Sequence, residues 1–559
     1  MKAYKHILTV IAASSLLFSA CKDDKFLKED LKDKLVVEGG FTSKAQFDAL
    51  SASMYHDVQL LYTAVDGVHD AWVLGLGTDV MFDPLDNTTK YNNWGLVNAQ
   101  ETISADFFNL QYDMIKVANT LISAAANPDV LWASEAEKNA SIAEARFFRG
   151  FAYRNLANVY GGVPIVSEPV STPKVDFQRS TREETWTFAK ADLEFARTYL
   201  PLTTNAPGRV VRAAADHFLS EVDISLKDYD GAIAAATRVI DGTDGSYALV
   251  NARFGSRNTT AALDINKDYY YDLFAMGNQN RQTGNTEGIF VAQFEVTATG
   301  AVVPGGVAAP PGVATPFTRP LIERMMWSKP WSLVKAGYPN VASDTSGRGV
   351  AFVRMTNYVN YTIWKNSGTD MRNNETNIKR KFYFGPTVAA STGFKPKDLI
   401  PKSFLTSRDD TMLYVYPNWA KFGTDKHING TPDNGYVRDF YVIRLPETYF
   451  LRAEAYLNKG NLASAAADLN VVRARVKATP VTAGEVTLDY ILDERARELY
   501  GEEFRMLTLG RLGLIYDRTK RFGYEASAAS VSPNNNLLPI PQTAIDRNVG
   551  AQIVNNPGY

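Results

Sequence analysis

The chain has 559 residues, a length that allows two or three domains or one large fold. Its 59 Lys and Arg residues against 61 Asp and Glu residues give a formal net charge of −2, so we expect no nucleic-acid partner, which would require a basic surface. The 28 tyrosines, 29 phenylalanines and 8 tryptophans suit either a large core or stacking on a ligand, and composition alone does not separate the two.

The first 20 residues have the layout of a secretory signal peptide. Lys2 and Lys5 supply a positive start, residues 7–18 are almost entirely apolar, and small residues at 19 and 20 precede Cys21. This apolar stretch is shorter than the about 20 residues that a transmembrane helix needs. We therefore predict that the chain is exported and that residues 1–20 are its signal peptide.

Cys21 is the only cysteine, so no second thiol is present to form a disulfide with it after export. Its context resembles a bacterial lipobox, although Phe18 stands where that motif more usually has Leu. Lys-Asp-Asp at 22–24 resembles the surface-export signal of Bacteroidota lipoproteins. We expect acyl chains such as palmitate on Cys21 and a lipidated tether over residues 21–40. The alternative is an ordinary secreted protein with one stray thiol.

Alanine-rich amphipathic segments recur from residue 41 onward and predict a mainly α fold. Residues 218–233 and 452–465 each resemble a tetratricopeptide hairpin, whose small residues let two helices approach closely. The predicted helices span 101–126, 135–160, 183–200, 212–226, 229–240, 447–459, 462–476 and 487–509.

Between residues 251 and 439 the helical pattern gives way to loops and short strand-like runs such as 288–294. The uncharged segment 296–318 is rich in proline and glycine. We predict a single domain over 41–559. It has a tetratricopeptide-like helical scaffold at 41–250 and 440–559, and a loop-rich, ligand-binding insertion with short strands at 251–439.

Four blocks follow one another along the chain. They are EARFFRGFAY at 144–153 with YGGVP at 160–164; RLPETYFLRAEA at 444–455 with Asn470, Arg473 and Arg475; ILDERAREL at 491–499 with GEE at 501–503 and Arg505; and PIPQ at 539–542 with NNPGY at 555–559. In this order, behind the Cys-Lys-Asp-Asp start, they resemble the SusD/RagB family of outer-membrane glycan-binding lipoproteins.

The resemblance implies a lipid-anchored, surface-exposed protein of the cell outer membrane. Such a protein binds an oligosaccharide and delivers it to a SusC-like TonB-dependent transporter. One alternative is a lid of the transporter for a non-glycan ligand such as a peptide, and another is a glycoside hydrolase.

The charged residues of the third block and the Asp370-Met371-Arg372 triplet are predicted to be structural. Carboxylate–guanidinium pairs of this kind commonly fix the geometry between helices. The residues of the block are Glu494, Arg495, Arg497, Glu498, Glu502, Glu503 and Arg505.

The motifs of common enzyme classes are missing from the sequence. Its five histidines form no His-Glu-x-x-His pair, and no Gly-x-Ser-x-Gly elbow or phosphate-binding loop occurs. Asp241 and Asp244 lack the ligand series of an EF-hand. We expect no catalytic activity, no metal and no cofactor, although two glycosidase carboxylates could be hidden among so many acidic residues.

A sugar site needs an exposed aromatic platform edged by polar groups. The turn-rich loop 78–94 offers Asp79, Asp83, Asn92, Asn93 and Trp94, and in related proteins the corresponding loop contacts ligands. The insertion offers a second set of candidates. These are Tyr270, Trp327 and Trp331. For each aromatic residue the alternative is packing in the core.

Overall fold

The computed structural model describes residues 40–62, 72–85, 91–255, 267–294, 302–303, 317–318, 326–338, 349–422 and 438–559. The predicted signal peptide, Cys21, nearly all of the tether and most of the segment 296–318 lie outside these residues. In the described ranges no helix is both long enough and apolar enough to cross a bilayer.

The N-terminal part of the scaffold consists of helices that pack on one another in succession. They are α1 (Lys44–Leu60), α2 (Thr102–Ala124), α3 (Glu135–Tyr160), α4 (Arg182–Tyr199), α5 (Arg212–Ser225) and α6 (Tyr229–Ile240). At the start of α3 the Ser134 side chain accepts a hydrogen bond from the N–H of Glu137, and at its end Gly161 adopts a φ of 77°. These capping residues explain why the predicted and observed bounds of α3 coincide.

The C-terminal part of the scaffold contains α9 (Leu445–Asn458), α10 (Leu462–Arg475), α11 (Leu488–Leu499), α12 (Arg505–Leu512), α13 (Ile515–Phe522), α14 (Glu525–Ser530) and α15 (Gln542–Asp546). The prediction of one helix over 487–509 is wrong, because the chain turns at Gly501 with a φ of 74°. A Cβ atom at this position would lie 2.2 Å from the ring of Phe422. The close approach and the left-handed backbone both require glycine here.

The two predicted tetratricopeptide-like hairpins, α5–α6 and α9–α10, pack together through α6 and α9. Asp228 caps α6 by accepting from the N–H of Gly231 at 3.0 Å, and Asn461 caps α10 in the same way from Ser464 at 3.1 Å. Ala232 of α6 and Ala455 of α9 are fully buried in one apolar cluster. Their small side chains allow these two helices to lie close. Within each hairpin, α5 packs on α6 and α9 on α10, as the sequence predicts.

The described strands form two-stranded ladders, and two antiparallel ones connect the insertion to the scaffold. The strands are β1 (Met81–Phe82), β2 (Gly288–Ala292), β3 (Val302–Val303), β4 (Phe317–Thr318), β5 (Arg354–Met355), β6 (Ile378–Lys379), β7 (Asn418–Trp419) and β8 (Phe440–Arg444). Strand β1 pairs with β5 so that Phe82 lies opposite Arg354, and β2 pairs with β8, which leads directly into α9. Two short helices, α7 (Tyr269–Phe274) and α8 (Asn357–Asn360), also belong to the insertion.

Buried ion pairs hold the insertion and the C-terminal helices together. The guanidinium of Arg372 donates to Asp370 at 2.7 Å, to Glu494 at 2.7 Å and to Glu498 at 3.1 Å. Although burial alone would raise the pKa of Glu494, Arg372 and the other guanidinium groups lower it to about 2. The prediction of a structural role for these charged residues is therefore confirmed.

Candidate functional site

Asp79, the first candidate in the loop 78–94, is a fully buried structural anion. It accepts from Arg505 Nη2 at 2.6 Å and from Arg518 Nε at 2.9 Å. Burial alone would raise the pKa of this carboxyl group, but the two guanidinium groups hold it well below its usual range. Both oxygens are engaged by arginine, so Asp79 does not offer a polar edge to a ligand.

Asp83 and Asn92 shape the loop itself. Asn92 Oδ1 accepts from the N–H of Asp83 at 3.0 Å, while Asn92 Nδ2 donates to the carbonyl of Asp83 at 2.7 Å. Asp83 Oδ1 accepts from the N–H of Leu85 at 2.8 Å. Both side chains are buried, whereas Asn93 is exposed and accepts from the N–H of Gly95 at 3.1 Å. Of the five candidates in this loop, only Asn93 has an exposed side chain.

Trp94 lies in the core with 1% of its surface exposed, which corrects the expectation of an exposed platform. Its indole Nε1 donates to the carbonyl of Gly77 at 3.0 Å, and its ring meets Tyr91 edge-on at 5.6 Å. A tryptophan next to polar turn residues looks like a surface residue in the sequence. Here, however, the turn folds the ring inward, where the N–H finds a backbone partner.

The candidates of the insertion are also mainly structural. Tyr270 is buried, and its hydroxyl donates to the carbonyl of Glu498 at 3.3 Å. Trp327 is 5% exposed and donates to the carbonyl of Trp419 at 2.8 Å, so both residues belong to the core. Trp331 is half-buried and donates to the carbonyl of Gly349 at 2.9 Å. It is the one aromatic candidate with appreciable exposure.

The loop 78–94 nevertheless leads to a group of aromatic residues around Arg354, here called the Arg354 cluster. Strands β1 and β5 place Phe82 opposite Arg354. The Tyr524 ring stacks on Phe82 with 4.2 Å between centroids and 8° between planes. The guanidinium of Arg354 lies 5.8 Å from the Phe82 ring centre and 5.4 Å from that of Tyr416. The cluster consists of Phe82, Arg354, Tyr361, Met412, Tyr416 and Tyr524.

The Arg354 cluster has a buried floor and an open side. Phe82 and Tyr416 are 3% and 2% exposed, whereas Tyr524 and Arg354 are half-buried and Tyr361 is 50% exposed. The phenol groups of Tyr361 and Tyr524 both interact electrostatically with Arg354. The cluster therefore presents tyrosine rings and one guanidinium together at the surface, which are the groups that a sugar site combines.

Several clefts lie elsewhere, and among them are two that contain aromatic rings together with charged side chains. One of about 260 Å³ is lined in part by Arg209, Tyr247 and Arg281, and one of about 290 Å³ is lined mainly by apolar groups such as Phe108 and Tyr112. In the first, Arg281 is held by the carbonyl of Ser246 at 2.7 Å. We favour the Arg354 cluster because it adjoins the predicted loop and joins exposed aromatic rings to a charged group. Over the described ranges, no three His, Cys, Asp or Glu side chains are grouped to hold a metal ion.

Two family models match the chain. The SusD family model matches residues 332–559, and a second model, described as "Starch-binding associating with outer membrane", matches residues 47–224. The chain belongs to the SusD/RagB family.

Full-length relatives of this SusD-family protein are distant in sequence. It is 24% identical to a "SusD-like protein" of Bacteroides ovatus over 89% of this chain and 81% of the relative. It is also 24% identical to "SusD-like protein P2" of Formosa agariphila over the whole of both chains.

Two solved structures share the SusD fold over nearly the whole chain. A "Laminarin binding SusD-like protein" is 23% identical with a TM-score of 0.65, covering 93% of this chain and 100% of its own. "Surface glycan-binding protein A" from Bacteroides fluxus is 18% identical with a TM-score of 0.64, covering 92% of this chain and 99% of its own. These likenesses confirm the mainly α, tetratricopeptide-like fold.

The sequence analysis missed Arg354, Tyr361 and Tyr524, although the first of these leaves a signal. Residues 345–369 contain no Asp or Glu, so Arg354 has no acidic neighbour near it in the sequence. Tyr361 and Tyr524 carry no comparable pattern. Tyr361 follows Arg354 through the short helix α8, whereas Tyr524 comes close because its ring stacks on Phe82, which the β1–β5 ladder places opposite Arg354.

Proposed function

We propose that this SusD-family protein binds an oligosaccharide at the Arg354 cluster. The observation that carries the proposal is that the exposed Tyr361 lies near the half-buried Arg354, whose neighbour Phe82 stacks on the Tyr524 ring. Sugar rings have apolar C–H faces and polar rims, so they stack on aromatic rings while their hydroxyl groups bond to charged or amide groups.

The names of two similar structures support a glycan as the ligand. One is named for binding laminarin and the other as a surface glycan-binding protein. Their sequence identities of 23% and 18% leave the particular sugar open, because binding side chains change faster than the fold. We propose the class of ligand from the family and the location of the site from this chain's own residues.

The protein acts, in this proposal, as a surface-exposed outer-membrane lipoprotein anchored through Cys21 and delivers the glycan to a SusC-like TonB-dependent transporter. The family model's description supports association with the outer membrane. The transporter is the partner that the family resemblance implies. Co-purification of such a barrel with this protein from native membranes in mild detergent tests the partnership, and elution of the protein alone would contradict it.

The binding site is tested by truncating its exposed ring. Tyr361→Ala is expected to weaken glycan binding at least tenfold with an almost unchanged melting temperature, because the side chain is half exposed and aromatic anchors dominate such sites. Tyr383→Ala is the matched control, since Tyr383 is 45% exposed and lies outside the cluster. Isothermal titration against a panel of oligosaccharides measures both variants. Equal losses for Tyr361→Ala and Tyr383→Ala, or no loss for either, would place the site elsewhere.

The same panel separates the alternatives. A lid for a non-glycan ligand such as a peptide predicts co-purification with the transporter but no binding of any oligosaccharide. A glycoside hydrolase predicts new reducing ends after incubation with the bound sugar. We propose a binding protein without catalytic activity, so the amount of reducing ends is expected to stay constant.

A further inference from the structure

We infer that the oligosaccharide carries an anionic group, either a uronate carboxylate or a sulfate ester, which pairs with Arg354. This inference rests on the proposed function and names the chemical class of its ligand. The observation behind it is a half-buried arginine that has no carboxylate partner among the described residues and lies at the edge of exposed aromatic rings.

Other buried arginines of the chain show which partners accept hydrogen bonds from a buried guanidinium in this protein. Arg372 has three carboxylate partners, Arg444 has three, and Arg505 pairs with Asp79 and Glu503. At these three positions carboxylates offset the cost of burying a guanidinium, and at the half-buried Arg182 backbone carbonyl oxygens accept instead. Arg354 has neither a carboxylate nor a backbone carbonyl as a partner among the described residues.

Within the described part of the chain, Arg354 makes one hydrogen bond, from Nη1 to the sulfur of Met412. Its Nε is shut off from solvent and has no partner. The Nη2 group makes no hydrogen bond either, but it remains accessible to solvent. A thioether sulfur is a weak acceptor, so most of the donor capacity of Arg354 is unused.

A second guanidinium, that of Arg408, lies near Arg354. Burial lowers the pKa of Arg354, and so does the nearby guanidinium of Arg408, whereas the tyrosine phenol groups act in the opposite direction. Arg408 is exposed and donates to the carbonyl of Pro84, which lies in the loop next to Phe82. Aromatic rings offset part of the cost of burying the charge through cation–π contacts, but they do not supply an anion.

A bound anion would complete this arrangement. A guanidinium is a planar donor that binds carboxylate and sulfate oxygens with good geometry, and the partly desolvated position of Arg354 strengthens such a pair. Tyr361 and Tyr524 would contact the sugar ring that carries the anion. A neutral glycan would leave the Nη2 donor with only hydroxyl partners, so we expect discrimination in favour of charged sugars.

The experiment compares three probes that differ in charge: neutral laminarin oligosaccharides, carboxylated oligogalacturonates and sulfated carrageenan oligosaccharides. The wild-type protein is expected to bind a carboxylated or a sulfated probe at least tenfold more tightly than the neutral probe. Raising the salt concentration from 50 to 500 mM is expected to weaken that binding several-fold, because ions screen the pair. Whichever anionic probe binds distinguishes a uronate from a sulfate.

Arg354→Gln is expected to reduce binding of the anionic probe at least tenfold. Arg354→Lys is expected to reduce it less, because lysine keeps the positive charge but lacks the planar pair of donors of the guanidinium. Arg281→Gln is the matched control, because Arg281 also lies over an aromatic ring, that of Tyr247 at 4.6 Å, but outside the cluster. If Arg354→Gln does not fold, the affinity of Arg408→Gln for the anionic probe and the salt dependence of binding by the wild-type protein test the anionic ligand instead. Arg408 is exposed, and its variant is expected to lose about twofold to threefold in affinity.

Preference for the neutral probe, with binding unaffected by Arg354→Gln and by salt, would overturn the anionic ligand and leave the proposed function standing. In that case Arg354 only holds Phe82 and Tyr416 together. Failure of the wild-type protein to bind any of the three probes would count against both proposals.

Discussion

Asp79 and Arg505 are joined by two hydrogen bonds, Nη2 to Oδ2 at 2.6 Å and Nε to Oδ1 at 3.1 Å, although 426 positions separate them. Arg518 adds a third bond to the same carboxylate. The loop that carries Phe82 is thereby attached to α12 and α13 in the C-terminal scaffold. The position of Phe82 in the Arg354 cluster therefore depends on buried ion pairs outside the cluster.

Asp79→Asn is expected to destabilise the protein by about 3–5 kcal/mol, because it leaves two buried guanidinium groups short of a carboxylate. Urea unfolding followed by circular dichroism measures the change. Asp176→Asn is the control, since its ion pair with Lys174 is exposed, and it should leave the midpoint almost unchanged. Similar midpoints for the two variants would contradict the structural role of Asp79.

Trp94→Ala is expected to lower the free energy of unfolding by about 3–5 kcal/mol, since the ring fills the core beside Tyr91. Leu96→Ala, two positions away and 47% exposed, should cost about 0.5 kcal/mol or less. Thermal and urea unfolding compare the two. A stable Trp94→Ala protein that has lost glycan binding would restore Trp94 as a ligand contact.

His217 predicts a loss of stability in mild acid. The residue is 1% exposed, and its Nδ1 lies 2.9 Å from Thr448 Oγ1. Burial is the main cause that lowers its pKa to about 3. In the unfolded chain the imidazole takes up a proton below pH about 6.5, while in the folded protein it stays neutral until the pH approaches 3. The contribution of neutral His217 is therefore complete above pH 6.5 and falls as the pH drops towards 3.

The comparison of His217→Gln with the wild-type protein isolates this effect. Glutamine does not titrate, whereas neutral His217 loses about 1.4 kcal/mol of its stabilising effect for each pH unit below 6.5. The free energy of unfolding that His217→Gln removes should therefore be about 2 kcal/mol smaller at pH 5 than at pH 8. Urea unfolding at both pH values measures the difference. The same cost at both pH values would mean that the imidazole takes up a proton as readily in the folded protein as in the unfolded chain.

Cys21→Ala is expected to move the protein from the outer-membrane fraction to the soluble periplasm or medium, because without a thiol no thioether can carry the lipid. The experiment is done with the transporter gene also deleted, so that no partner retains the protein. Ser19→Thr, which leaves the thiol in place, serves as a control. Membrane fractionation that is unchanged by Cys21→Ala would contradict the lipobox.

The helical scaffold could be predicted from the sequence because its signals are local. Periodic alanines and capping residues such as Ser134 and Asp228 define helix bounds within a few neighbouring positions. The break at Gly501 was missed, since the surrounding charged residues continue a helical pattern. The ring of Phe422, distant in the sequence, and the left-handed backbone together make the glycine necessary.

The proposed ligand site required the tertiary structure. By itself, the sequence determined the scaffold and the family, because motifs and periodicity are properties of neighbouring residues. It did not determine which aromatic rings face outward. The Trp94 ring is buried, and the carbonyl of Gly77 accepts a hydrogen bond from its indole N–H. The Tyr361 ring, at the end of α8, is half exposed. The pairing of Phe82 with Arg354 joins segments that lie far apart in the chain, and a contact of that kind depends on how the whole fold packs.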